Sequence, residues 1–255
     1  MALPNLLRLM YRNFRVNTDP GSLVILIGLP ALYLVFFGFG FSSLGGGGTK
    51  GTSYLSFLTP GIMAFQVVMA GTVGGSILWA DRRWGMLAQL LVSPFTRLEY
   101  LLGIMLTSVL MGIAGAFTML VVALALLGSV PVGGFGLGII VVTLILGSIL
   151  FGSAMLFISA LVKSSNAYNS IQVLMIFIVN FASTVFYPDS PSLPLPIQVL
   201  FAVNPLTYVA DIVRDSYFGL LTVTDAYRLL LLTVEAVVLL YVATRAYMRS
   251  DVSMK

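Results

Sequence analysis

Asp81–Tyr100 reads DRRWGMLAQLLVSPFTRLEY, and it breaks a chain that is otherwise strongly apolar. The stretch carries Asp81, Arg82, Arg83, Arg97 and Glu99, with long apolar runs on both sides. Trp84, Leu87, Ala88 and Leu91 fall at i, i+3, i+4 and i+7, one face of a short helix. Pro94 prevents that helix from running on. Thr96 and Glu99 then form a T-x-x-E capping box, so a new helix starts there. The spacing predicts a helical stub of about two turns, set off from both neighbours. Periodicity alone fits a rigid knob for docking a partner and an amphipathic turn resting on lipid headgroups equally well.

The rest of the chain defines the surroundings of this stub. Of 255 residues, 59% are hydrophobic and 9% charged, with a mean hydropathy of +1.04; soluble domains are about 25% charged. One soluble core could not hide so much apolar surface, so the solvent is lipid. No linker-like break divides the chain, and a single membrane domain over residues 1–255 is expected. Cysteine and histidine are absent. Thiolate nucleophiles, thiolate metal sites, the commonest zinc ligand and the usual general base are therefore excluded. No catalytic or metal-ligating set is expected. The net charge of +4 follows membrane topology and does not indicate a nucleic-acid partner.

Residues 1–21 do not follow the pattern of a cleavable signal peptide. Leu3, Leu7, Met10 and Phe14 share one helical face, and Arg8, Arg12 and Arg15 share another. This predicts a basic amphipathic helix lying in the membrane interface, ended by Asp19-Pro20-Gly21. Apolar spans are expected at 22–41, 57–80, 101–127, 135–162, 167–187 and 229–248, each long enough to cross about 30 Å of hydrocarbon. Gly71, Gly74 and Gly75, and Ser148 with Gly152, place small residues four apart and predict close helix packing. Residues 81–100 form the first loop on the side of the termini. Residues 188–228 hold Pro188, Pro191, Pro194, Pro196 and Pro205; within them Leu193–Val203 is too short to span and reads as a re-entrant or interfacial segment.

Six spans put both termini on one side. That side holds Arg8, Arg12, Arg15, Arg82, Arg83, Arg97, Lys163, Arg245, Arg249 and Lys255, against Lys50, Arg214 and Arg228 opposite. The asymmetry predicts cytoplasmic termini in the plasma membrane. GGGGTKG, Gly45–Gly51, is not a phosphate-binding loop. Thr49 precedes the lysine, no strand–helix context surrounds it, and the topology puts it outside the cell.

Three further groups stand out. Glu235, inside the last span, is either a functional carboxylate or a structural acid held within the bundle. Asp211, Arg214 and Asp215, at i, i+3 and i+4, fit a solvated helix-face pair or a gate. Phe177, Phe181 and Phe186, with Tyr187, line a candidate substrate path or pack within the belt.

DRRWGMLAQLLVSPFTRLEYLLG resembles the segment after the second span of ABC-type exporter permeases, the membrane subunits related to antibiotic, Nod-factor and polysaccharide exporters. Gly85, Leu87, Leu90, Leu91, Val92, Ser93, Pro94, Thr96 and Arg97 match that pattern. Met86 and Gln89 depart from it, and Ala88 stands where the usual acid would be. NPLTYVADIVRD, Asn204–Asp215, resembles the family's N-P-L-T-Y-x-x-D-x-x-R signature. The resemblance covers the whole chain. It implies an all-α membrane protein: six transmembrane helices, an N-terminal interfacial helix, a cytoplasmic coupling helix and extracellular re-entrant helices before the last span.

It further implies a permease that pairs with a second copy or a paralogous permease and binds two ATP-binding cassette subunits. Those subunits, not this chain, would carry ATP and magnesium. Arg83, Trp84, Leu87, Ala88, Leu91, Ser93 and Pro94 would meet the ATPase. Asn204, Pro205, Tyr208, Asp211 and Arg214 would form the external re-entrant motif. Phe177, Phe181, Phe186 and Glu235 would line the path of a small amphipathic or lipid-like compound of the drug or antibiotic type. Export of a polysaccharide or teichoic acid, and ion-driven secondary transport, are the alternatives.

Overall fold

The computed structural model describes residues 3–43, 53–92 and 95–250, and every element in them is a helix. In chain order these are α1 (Leu3–Val16), α2 (Pro20–Leu23), a π-helical turn (Val24–Gly28), α3 (Leu29–Ser43), α4 (Tyr54–Arg83), α5 (Met86–Val92) and α6 (Arg97–Leu127). There follow α7 (Gly134–Leu161), α8 (Ser165–Phe181), α9 (Leu195–Val203), α10 (Pro205–Phe218) and α11 (Val223–Arg249). The GGGGTKG segment, Lys50, Ser93, Pro94 and Lys255 lie outside the described residues.

Among the described residues five segments are long and apolar enough to cross a membrane: Pro20–Phe41, α4, α6, α7 and α11. The expected fifth span is shorter than its sequence suggested. α8 has 17 residues and stops at Phe181 instead of Tyr187. The cause is local. The Ser183 hydroxyl donates to the Asn180 carbonyl at 2.6 Å and accepts from the Val185 N–H at 3.3 Å, drawing the backbone out of the helical ladder. α8 is a little over half as long as α4. Tyr168 near its start stacks on Trp79 late in α4, and Thr184 just past its end donates to Asp211.

α4 is the central rod, buried along most of its length and packed by α7, α6, α3 and α10. Its glycines allow this. A Cβ on Gly71 would sit 2.6 Å from the Phe151 backbone, and one on Gly75 would sit 2.6 Å from Met155 Cβ. Only bare glycine lets α7 approach so closely. Gly112 of α6 likewise lies under the Ser148 hydroxyl of α7. The small-residue spacing therefore marks real crossings.

Two expectations about the N-terminus are corrected. Asp19-Pro20-Gly21 begins a helix instead of ending one. Asp19 Oδ2 accepts from the Gly21 and Ser22 N–H groups at 3.0 and 3.2 Å, and Pro20 occupies the first turn. Hydrogen bonds from Ser22 hold the Asp19 carboxyl below the usual range. α1 also does more than lie on a surface: Leu9 and Asn13 are buried, and Leu9 packs onto Gly103 of α6. Leu7, Tyr11 and Phe14 face away from the protein.

α9 and α10 meet at a bend of 81°. α10 starts at about mid-bundle, where Val209 in its second turn meets Gly147 of α7 beside Val67 of α4, and runs from there until Ser216 lies on Gly136, near the start of α7. This is the re-entrant pair expected before the last span.

Candidate functional site

The chain's conspicuous chemistry collects at the two ends of the bundle. At one end α4 stops at Arg83. Trp84 caps it, and Gly85, at φ +70°, turns the chain into α5. A left-handed φ is costly for any residue with a Cβ, so glycine suits this hinge. On the far side of α5 the capping box forms as expected. Thr96 Oγ1 accepts from the Glu99 N–H at 3.2 Å, and Glu99 Oε2 accepts from the Thr96 N–H at 2.9 Å. Such a box stabilises a helix start by about 1 kcal/mol.

The stub is shorter than the spacing predicted, seven residues from Met86, because Trp84 belongs to the cap of α4. Its faces also divide differently. Leu87 is 1% exposed and sits with Ile77, Leu78, Tyr100 and Tyr247 in the core of this end, with Leu90, Leu91 and Phe95 packed around them. Trp84 and Val92 are 75% and 91% exposed, and Met86 is exposed as well. Arg83 is exposed and stacks over both Trp79 and Trp84, at 5.1 and 5.4 Å. Ala88 is half-buried. Among the expected contact residues the outward group is thus Arg83 and Trp84, while Leu87 faces inward.

Sequence reading missed what holds the stub in place. Arg12 of α1 and Asp81 of α4 form a two-pronged ion pair, and the Tyr100 hydroxyl donates to Asp81 Oδ2 at 2.7 Å. Asp81 raises the pKa of the Arg12 guanidinium above its ordinary value. Arg82, counted above among the basic residues on the side of the termini, is buried and donates to the Ser159 carbonyl of α7. Arg97 donates to the Met248 carbonyl at 3.0 Å, joining α6 to the end of α11. The acid at 81 was visible as a charge beside two arginines, but nothing in the sequence paired it with residue 12.

At the opposite end Asn204 closes two helices at once. Its side-chain oxygen accepts from the Leu206 N–H at 3.0 Å, starting α10. Its amide donates to the Val179 and Ala182 carbonyls at 2.7 Å each, closing α8. Pro205 fills the first turn of α10, where a missing N–H costs little. Tyr208 donates to the Ala202 carbonyl at 2.5 Å across the bend.

The solvated-pair reading of Asp211 and Arg214 is overturned. Arg214 is only 9% exposed, stacks 4.1 Å over the Phe57 ring, and donates to the Thr184 carbonyl at 2.7 Å and to Asp211 at 3.1 Å. Asp211 also meets Arg228 at 3.0 Å, and Arg228 meets Asp225 at 3.0 Å and Asp215 at 3.8 Å. This network ties the start of α4, the turn after α8, α10 and the start of α11 together. Burial and pairing on this scale make it a fixed part of the fold, unlike a surface pair.

Of the candidate path residues, Phe177 stacks on Phe181 at 6.1 Å and Phe181 on Phe186 at 5.0 Å. Phe186 is core, packed with Tyr33, Phe37 and Phe65, while Phe177 and Phe181 remain exposed. Phe181, Tyr187, Leu193, Ile197 and Phe201 line an apolar groove of about 490 Å³ between α8 and α9. Glu235 stands on α11, whose packing partners are α7 and α10, and its Oε2 is buried with no hydrogen-bond partner. No group of acids able to hold a metal ion occurs among the described residues.

A sequence profile of the family described as ABC-2 type transporter matches residues 5–218. The chain belongs to that family. No curated protein matches the chain.

Proposed function

We propose that this ABC-2 type permease, an integral membrane protein and a component of a membrane transporter, is the membrane half of an ATP-driven exporter. Two copies, or one copy and a paralogous permease, pair in the plasma membrane, each docking an ATP-binding cassette subunit that hydrolyses ATP with magnesium. The Asp81 end faces the cytoplasm, a placement supported by the basic residues gathered there. The cargo is a small amphipathic or lipid-like compound of the drug or antibiotic type. The residues matched by the family cover the stub and the re-entrant pair, and the sequence holds neither histidine nor cysteine.

One observation carries this reading. α5 is a short helix with exposed Trp84, Met86 and Val92, braced from behind by Leu87 and by the Arg12–Asp81–Tyr100 contacts. Force applied to the exposed face passes into α1, α4 and α6 together. A loop that merely rested on headgroups would not need three helices clamped behind it. At the other end the Arg214 network would join the outer gate to the same α4, so a displacement of α4 reaches both ends.

The test is co-purification of the full-length permease with a co-expressed ATP-binding cassette subunit. Aspartate in place of Trp84 or Val92 is expected to abolish capture and ATP-dependent transport while membrane insertion is unchanged. Capture that survives both substitutions rejects the docking assignment.

A further inference from the structure

A second cleft lies in the Asp81-end half of the bundle, between the α1–α2 turn, the π-helical turn, α4 and α8, with a volume of about 250 Å³. Its wall differs from that of the α8–α9 groove. Asn17, Ser22, Thr72, Ser76 and Gln172 contribute amide and hydroxyl groups, with Leu26 and Met69 between them. None of its lining residues is charged. Asp19, the nearest acid in sequence, is turned onto backbone N–H groups at the start of α2. The π-helical turn matters here, since such insertions commonly sit where a helix wall is reshaped around a site.

The polar groups are unequally engaged. Thr72 donates to the Met69 carbonyl at 2.7 Å, and Asn17 donates to the Asn13 carbonyl at 2.8 Å. Ser76 pairs with the Tyr168 hydroxyl at a long 3.4 Å. The half-buried Gln172 amide has no hydrogen-bond partner among the described residues. The Trp79 indole N–H, one turn beyond Ser76 and stacked on Tyr168, is likewise buried without a partner. An amide left unpaired at membrane depth is costly, which favours a hydrogen-bonding occupant.

We infer that this cleft binds the uncharged, hydrogen-bonding headgroup of the transported amphiphile. Several hydroxyl or amide groups on the cargo meet Gln172, Ser76 and Thr72, while its apolar body lies against Leu26 and Met69. The wall offers both donors and acceptors but no counter-charge, so a cation or an anion would be desolvated there without compensation. This rests on the permease reading and adds the class of cargo and the side from which it enters.

The test uses the full chain in nanodiscs with Trp84→Phe, which leaves Trp79 as the single indole of a chain that has 2 tryptophans. The probes are a monoacylglycerol, an alkyl phosphate and an alkyl trimethylammonium, each brominated on the same chain. The monoacylglycerol is expected to quench Trp79 saturably, at a concentration about tenfold below either charged probe. Gln172→Leu and Ser76→Ala should each raise that concentration by roughly fivefold to tenfold, in line with one lost hydrogen bond to a neutral group. Quenching that is equal for the three probes, or that never saturates, overturns the inference. So does an isotherm unchanged in both variants.

A resident lipid and a cargo are then separated with Trp84 restored, by adding the ATP-binding subunit and ATP and assaying the bromine that stays bound. Release of the probe during turnover supports cargo, and retention through turnover overturns that assignment. If the subunit is captured but its ATPase responds to the monoacylglycerol equally with and without Gln172, the cleft fails and the permease reading stands. If no subunit is captured, the permease reading fails whatever the isotherm shows.

Discussion

Arg12 and Asp81, 69 residues apart, meet in a two-pronged ion pair with Nη2–Oδ1 at 2.6 Å and Nη1–Oδ2 at 2.8 Å. The pair locks the N-terminal helix to the last turn of the central rod, directly above the hinge at Gly85. Tyr100 reaches the same carboxylate from α6. A surface helix has thereby become part of the support for the stub.

That arrangement sets the first expectation. Asp81→Asn keeps an acceptor for Tyr100 but removes the charge facing Arg12, at a cost of about 2 kcal/mol for a partly buried charged hydrogen bond. The melting temperature of the purified protein should fall by roughly 4–8 °C. Arg12→Asp combined with Asp81→Arg should recover part of the loss in a double-mutant cycle. Additive losses would show that the pair contributes no coupling.

The stub's two faces should separate stability from docking. Leu87→Ala removes a fully buried side chain and is expected to destabilise by about 2–5 kcal/mol. Trp84→Ala removes an exposed one and should change stability by less than about 0.5 kcal/mol, yet weaken capture of the ATP-binding subunit by at least about tenfold, as an aromatic anchor does. Thermal unfolding and a binding isotherm on the same preparations check both. Equal effects in the two assays would mean that α5 is one packed unit with no dedicated outer face.

Much of this architecture can be read from the chain because it is local. The capping box at Thr96 and Glu99, the small-residue crossings at Gly71 and Gly75, and the bend before Pro205 each depend on residues a few positions apart. Errors arose where a local signal had two meanings. Asp-Pro-Gly fits a helix stop, but Asp followed by Pro is also a helix start, and the apolar run after it decides between them. Trp84 fits the periodicity of α5, yet the left-handed turn at Gly85 takes it out of register. The α8 stop depends on Ser183 and on Asn204, 22 residues past its partner Ala182, and span-length arguments see neither. Arg82 and Arg83 are neighbours of the same type, one buried and one exposed. Only the rotation of α4 against α7 separates them.

The glycine crossing can be tested by filling it. A Cβ at Gly71 meets the Phe151 backbone, which cannot swing aside as a flexible side chain would. Gly71→Ala should therefore force α4 and α7 apart and cost about 1–3 kcal/mol. Gly138→Ala, where a Cβ meets nothing within 4 Å, should be near neutral. The comparison is of thermal midpoints and of the yield of monodisperse protein. Equal behaviour of the two variants would mean that the close approach of these helices does not limit stability.

Arg214 gives the last expectation. Its guanidinium stacks on Phe57 while donating to Thr184 and Asp211, so its flat, forked shape is used as much as its charge. Lysine keeps the charge but has neither the plane nor the fork. Arg214→Lys should therefore be impaired, and Arg214→Met more so, because Asp211 then loses one of its two arginine partners inside the bundle. Breaking a buried pair in this way costs about 3–5 kcal/mol. If the network closes its end of the bundle, Arg214→Met should also raise modification of a cysteine placed at Thr184, since the original chain has none to interfere. Asp81→Asn, at the opposite end of the bundle, should leave that modification unchanged. Labelling that stays low in Arg214→Met, in protein that remains folded, would show that the network holds the fold without governing access to it.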